Sequence, residues 1–198
     1  MNRHAEVSAE TRARLIAAAW DLLAEGGTRA ATVQAVAQRS RISRGSIGWH
    51  FGSKEGLVVA VVNDAFDMLC ERVDAVFDAP GPATWERALG AQNAMLADSR
   101  FRIFATVGLD AIGEQGAVAA AFTAGHQRVR DLYAHYLSAN DLVGDEVDPQ
   151  DVATALRAMT LGLNIQRRFD PDVIGLTRAV GALRAARTVE GKASEVDN

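Results

Sequence analysis

Apolar residues recur at three- and four-residue spacing along most of the chain, and nowhere alternate with the period of two that a half-buried strand needs. Leu15, Ala19, Leu22 and Leu23 fall on one helical face, flanked by Ile16 and Trp20. Ser8 is placed to cap this first helix, Glu10 suits the positive end of its dipole, and Gly26-Gly27 stops it. A second, short helix follows, with Thr32 as its cap and Val33, Val36 and Ala37 facing inward. After a turn at Ser40 to Ile42, Ser43 caps a third helix with Ile47 and Phe51 on its inner side. Ile42 is expected to plug the joint between the two. Gly52 ends the unit, and Ser53 caps a long fourth helix from Lys54 to about Phe77. Two short helices about a tight turn make a helix-turn-helix.

The run Pro80-Gly81-Pro82 is the clearest break in the chain. Beyond it the pattern predicts helices at about 83–98, 101–113, 116–141, 149–168 and 171–187. The last two begin with Asp148-Pro149 and Asp170-Pro171, each a cap followed by proline at the first helical position. The expected fold is all-α. A three-helix DNA-binding head spans residues 1–53, with its helix-turn-helix at about 32–51. The long fourth helix joins it to a helical body, residues 54–187, and a disordered tail covers 188–198.

Charge sharpens this division. Residues 1–54 hold eight basic groups (Arg3, Arg12, Arg14, Arg29, Arg39, Arg41, Arg44, Lys54) against four acidic ones, although the whole chain carries a net charge of −4. A basic head on an acidic body is the footprint of a module that meets nucleic acid, attached to one that does not. Within that head, Ser43 to Phe51 reads SRGSIGWHF. Small residues let the backbone approach a groove, arginine reads a guanine edge, and polar and aromatic side chains grip the phosphate walls. Arg44 is therefore expected either to fork onto a guanine or to hold a phosphate. Ser43 and Thr32 cap their helices and present backbone N–H groups to phosphate. Gly45 and Ser46 allow close approach, and Ser46 can touch a base edge. Trp49 and His50 lean outward, because Ile47 and Phe51 already supply the inward stripe. Lys54 and Gln34 complete the expected DNA-binding set. Arg12 and Arg14 lie off the apolar stripe and read as a solvated face, with Arg14 within reach of a phosphate.

The segments Thr32-Val33-Gln34-Ala35-Val36-Ala37 and Ile42-Ser43-Arg44-Gly45-Ser46-Ile47-Gly48-Trp49-His50-Phe51-Gly52-Ser53-Lys54-Glu55-Gly56-Leu57 resemble the TetR family of bacterial regulators over about residues 10–60, under a third of the chain. The resemblance implies an all-α homodimer that binds a near-palindromic operator in double-stranded DNA. It also implies that the operator is released when a small-molecule effector enters the C-terminal domain. Two positions depart from the family pattern. Arg41 occupies a turn position usually held by glycine, at a cost of about 1 kcal/mol if the backbone is left-handed. Gly48 stands where an aromatic is common and costs about 1 kcal/mol of helix stability. Operator choice therefore does not transfer from relatives.

A head making about four to six phosphate contacts binds weakly on its own and loses affinity steeply with salt, so two copies on one duplex are required. The final two helices can supply the pairing. Gly175, Ala179, Ala182 and Ala186 form a small-residue stripe, and Ala155, Ala158 and Gly162 run along the preceding helix. Packing inside one monomer is the competing reading; a four-helix interface between subunits is the expectation. Candidate effector-lining residues are Phe66, Met68, Trp85, Asn93, Met95, Phe101, Phe104, Phe122, Tyr133 and Met159, a set suited to an apolar or aromatic-containing molecule. Asp110, Glu114 and His126 lack metal-site spacing and read as a solvated acidic face. No cofactor motif and no partnered nucleophile is present, so an enzyme is not expected. The single cysteine, Cys70, excludes an internal disulfide and reads as a buried apolar residue. No apolar run approaches the roughly 20 residues that cross a bilayer, and the protein is expected in the cytoplasm without a membrane partner. The main alternative is a helical protein-binding adaptor whose basic head binds without reading DNA sequence.

Overall fold

The computed structural model describes residues 3–193, and its described residues form nine α-helices with no strand. The helices are α1 (Arg3–Ala30), α2 (Val33–Ser40), α3 (Arg44–Phe51), α4 (Lys54–Phe77), α5 (Trp85–Ala97), α6 (Ile103–Ala111), α7 (Ala117–Ala139), α8 (Pro149–Gln166) and α9 (Leu176–Ala193). A 3-10 turn, Ser99–Arg102, leads into α6.

Local chemistry sets most boundaries. Thr32, Ser43, Ser53 and Thr84 each accept a hydrogen bond from the backbone N–H three residues on, at the starts of α2, α3, α4 and α5. Asp148 accepts from the Gln150 N–H, with Pro149 opening α8. Four boundaries differ from expectation. The first helix starts at Arg3, so Ser8 sits inside it and is no cap, and the Thr11 hydroxyl donates back to Val7 O. Gly26 and Gly27 leave helical geometry as expected, but a final turn resumes and runs to Ala30. Asp170-Pro171 does not start the last helix. Asp170 closes a small turn on the Asp172 N–H, and α9 begins five residues later, where Asn93 Oδ1 of α5 accepts from the Leu176 N–H at 2.8 Å. That cap comes from another helix and overrides the local signal. The last helix also continues through Ala193, beyond the expected end at 187; residues 194–198 of the expected tail lie outside the described residues.

One apolar core runs through both halves of the molecule. It contains Leu15, Leu23, Val36 and Ile47 of the head and Leu57, Val61, Phe66, Phe104, Val129 and Tyr133 of the body. Ile42 is half-buried against it, in the joint it was expected to fill. Cys70 also packs against this core, half-buried, and burial pushes its thiol pKa up. A smaller cluster of Leu89, Leu156, Leu163 and Leu176 holds α5, α8 and α9 together. At the Pro80–Pro82 turn the Arg87 guanidinium donates to the carbonyls of Val76, Ala79, Gly81 and Pro82, tying the bend to α5.

The helix α4 lies along α7, and Gly125 of α7 lets the two approach. A carbon added there would stand 2.1 Å from the Phe66 ring, which is itself fully buried between Phe104 and Phe122. Gly125→Ala is expected to destabilise the fold by about 1–3 kcal/mol through overpacking. A lowered urea midpoint with an unchanged slope is the measurement that checks it.

Candidate nucleic-acid interface

The turn between α2 and α3 is fixed by Arg41, whose backbone is left-handed at φ 57° and ψ 35°. Its N–H reaches Gln38 O, while the Ile42 N–H reaches Ala37 O. This is the left-handed geometry that the departure from glycine put in question, and Arg41 adopts it at a cost of about 1 kcal/mol. Arg14 closes the turn from behind by donating to Ser40 O at 2.8 Å. It braces the turn while remaining exposed, on the solvated face where it was expected. Arg12 likewise stacks over the Phe51 ring, 5.3 Å from its centre.

On the far side of α3 the surface is bare. A carbon added at Gly45 would meet only Ser43 Oγ, at 3.9 Å, and one at Gly48 would meet nothing within 4 Å. Trp49 is 74% exposed and meets the half-buried His50 edge-on at 4.4 Å between ring centres. Arg44 is exposed, with no hydrogen bond or ion pair to its guanidinium among the described residues. Ser43 and Ser46 share a hydroxyl–hydroxyl hydrogen bond of 2.9 Å at the start of the helix. Thr32 and Gln34 are exposed on the same head. Arg39 is different: it pairs with Glu25 through two hydrogen bonds, which holds the Glu25 carboxyl below its ordinary pKa.

Lys54 lies at the head–body junction, where its ammonium donates to Thr28 O at 2.7 Å. Three further contacts brace this junction, two between head and body and one within the body beside it, and none has a local signal in the sequence. Asp110 Oδ2 at the end of α6 accepts from both the N–H and the hydroxyl of Thr28, at 3.1 and 2.7 Å. Glu55 Oε1 accepts from the Ala117 N–H at the start of α7, 3.3 Å away. Thr106 of α6 donates to Leu23 O of α1. Asp110 is exposed, as is Glu114, in keeping with a solvated acidic face, and it also ties α6 to the head. No group of three His, Cys, Asp or Glu among the described residues is arranged to hold a metal.

The candidate effector residues do not form one site. Met95, Phe101 and Phe104 line a small internal cavity of about 20 Å³. Phe104 and Phe122 line a larger one of about 350 Å³ between α6, α7 and α8. His126 shares that larger wall, and burial, then the positive charges of Arg157 and Arg130, push its pKa down to about 4. Phe66 and Tyr133 are closed within the core, and Met68 packs half-buried against it. Trp85 donates its indole N–H to Leu142 O and packs with Met159 in the smaller cluster. Asn93 is the cap of α9, which its amide also secures through the Thr177 hydroxyl.

An open, basic third helix on a helical head, carried on an all-helical body, defines a helix-turn-helix protein, and no described helix is long and apolar enough to cross a membrane. The model of the "Bacterial regulatory proteins, tetR family" matches residues 15–61, and over the head and the start of α4 the chain is similar to that family. An HTH-type transcriptional repressor of Mycobacterium tuberculosis is 36% identical over 89 residues, covering 44% of this chain and 45% of that protein. The aligned stretch thus spans under half the length of the curated relatives. Among solved structures, Escherichia coli NemR in its reduced form has a TM-score of 0.76 at 19% identity, covering 89% of this chain and 96% of that one. A regulator from Saccharomonospora viridis in complex with choline has a TM-score of 0.72 at 19% identity, covering 89% and 95%. At such identities the likeness is one of fold.

Proposed function

We infer that the protein works in the cytoplasm as a dimeric, ligand-responsive repressor with two α3 helices entering successive major grooves of a near-palindromic operator. The observation that carries this reading is the outer face of α3. Arg44, Gly45, Gly48 and Trp49 are turned to solvent, and two of them carry no side chain to keep a duplex away. Residues 1–53 act as the head and 54–187 as the body. Repression is supported by the name of the mycobacterial relative.

Dimerisation rests on α8 and α9. Ala155, Ala158 and Ala182 are exposed, Gly162 and Ala179 are half-exposed, and Leu183 is 63% exposed. A carbon at Gly162 or Gly181 would meet nothing within 4 Å in the same chain, so a second chain can come close there. Gly175 has another task, since a carbon there would stand 3.0 Å from the Asn93 oxygen that caps α9. The side chain of Ala186 lies outside the described residues.

Release follows from the junction. A ligand lodged between α6, α7 and α8 that favours a displaced α6 or α7 pulls on Thr28 through Asp110 and on α4 through Glu55. It changes the spacing of the two heads only by its difference in affinity for the two arrangements. The test is a gel shift with the DNA upstream of the protein's own gene. A saturable complex that requires both halves of a palindrome and weakens steeply with salt is expected. Equal binding to scrambled DNA would instead favour the adaptor.

A further inference from the structure

Arg157, in the middle of α8, is only 7% exposed and forms no ion pair among the described residues. Its Nε has no hydrogen-bond partner. A guanidinium stays charged at any pH a protein survives. Sealing such a charge in apolar surroundings is strongly unfavourable unless an anion compensates it. Its neighbours do the reverse: Arg130 and the depressed His126 both sense it as like charge, and the other ionisable groups near it, Tyr133 and Cys70, are neutral at pH 7.

The guanidinium borders the small cavity, together with Leu69, Phe101, Phe104, Thr160 and Asn164. The cluster holds an excess of donors. Gln92 is 1% exposed, with its oxygen engaged by the Thr160 hydroxyl and its NH₂ unpartnered; the Tyr133 hydroxyl is likewise buried and unpartnered. One acceptor, Asn164 Oδ1, also stands unpaired, the amide nitrogen being committed to Phe101 O. Phe104 and Leu161 line both this cavity and the larger cleft of about 350 Å³, whose wall is mainly apolar but includes Glu114, Thr123 and His126, so they form the partition between the two.

We propose that the effector is a small carboxylic acid with an apolar or aromatic body, its carboxylate held by Arg157 and its body lying past Phe104 in the larger chamber. This rests on the ligand-responsive reading given above and adds the chemical class. A planar carboxylate matches the forked guanidinium, and a hydroxyl on the same molecule would answer Asn164 Oδ1. A permanent cation such as the choline of the S. viridis complex would meet Arg157 as like charge, so the two proteins differ in ligand class although they share a fold.

The experiment uses the full chain with matched probes: benzoate, 4-hydroxybenzoate, phenylacetate and octanoate, each beside its neutral amide. Thermal shift and calorimetry on the parent are expected to show the best acid binding at least about tenfold more tightly than its amide, as one charge-assisted bidentate contact gives. In Arg157→Met the ratio falls to about one. That variant without ligand is expected to melt at or above the parent temperature, because an uncompensated buried charge has been replaced by a shorter, uncharged thioether. Acids and amides binding alike, no acid binding, or a lowered melting temperature for Arg157→Met would each overturn the proposal. Operator release, read by gel shift with the same probes, separates the two ideas. Release by neutral molecules alone sinks the acid and keeps the ligand-responsive repressor. Arg157-dependent acid binding that leaves the operator complex intact supports the site and sinks the repressor's response.

Discussion

Gly56→Ala is expected to cost about 2–3 kcal/mol of stability and to abolish tight operator binding, although position 56 itself faces no DNA. A carbon added at Gly56 would stand 2.1 Å from Phe51 O and 3.2 Å from its carbonyl carbon. These are backbone atoms of the last turn of α3, so no side chain can rotate away. The joint must open by nearly an ångström, and overpacking of this kind costs about 1–3 kcal/mol or more. Gly56 also donates its N–H to the Ser53 cap, so the displacement would pull on the first turn of α4. What moves is the angle between the recognition helix and the long helix that carries it. Urea unfolding reads the stability, and a gel shift at a temperature where the variant is still folded reads the binding. A variant that folds and binds like the parent would show that the α3–α4 angle is not set here.

The same glycine illustrates what the sequence makes legible. The caps at Thr32, Ser43 and Ser53 and the turn glycine Gly52 are decided within four residues, and each stands where the pattern placed it. The outward lean of Trp49 follows from helical periodicity alone. Contacts over longer separations are a different matter. Asn93 starts α9 from 83 residues away and displaces the local signal of Asp170-Pro171, because a half-buried cap supplied by a packed helix outweighs an exposed one. Thr28 and Asp110 are 82 residues apart, and neither residue type advertises a partner. Arg157 is hidden for another reason. An arginine within an amphipathic helix looks like one more solvated charge, and only the packing of α5, α6 and α7 around α8 turns it inward. The aromatic-rich middle of the chain names the neighbourhood of the cavities. It cannot separate Phe104, which lines two of them, from Phe66, which fills the core beside them.

Arg44→Ala carries the second large effect, on recognition rather than on folding. The side chain is exposed, contributes to no core and has no partner among the described residues, so its removal should leave the unfolding midpoint within about 0.5 kcal/mol of the parent. One bidentate arginine–guanine contact is worth about 1–3 kcal/mol of discrimination. A dimer makes it twice, so operator affinity should fall by about 2–6 kcal/mol, or from about thirtyfold to about twenty-thousandfold. The loss should be selective. Binding to operators altered at the contacted base pair should change little further, since the group that read that base is gone. Trp49→Ala provides the contrast. An exposed aromatic against the backbone grips without reading, so its loss should weaken all sequences by a similar factor. Salt dependence separates the two readings of Arg44 itself, because a phosphate contact lowers the slope of log affinity against log salt by about one per site. If Arg44→Ala lowers that slope and leaves base preference intact, Arg44 holds the backbone, and readout passes to Ser46 and to the DNA shape that Gly45 and Gly48 allow α3 to approach.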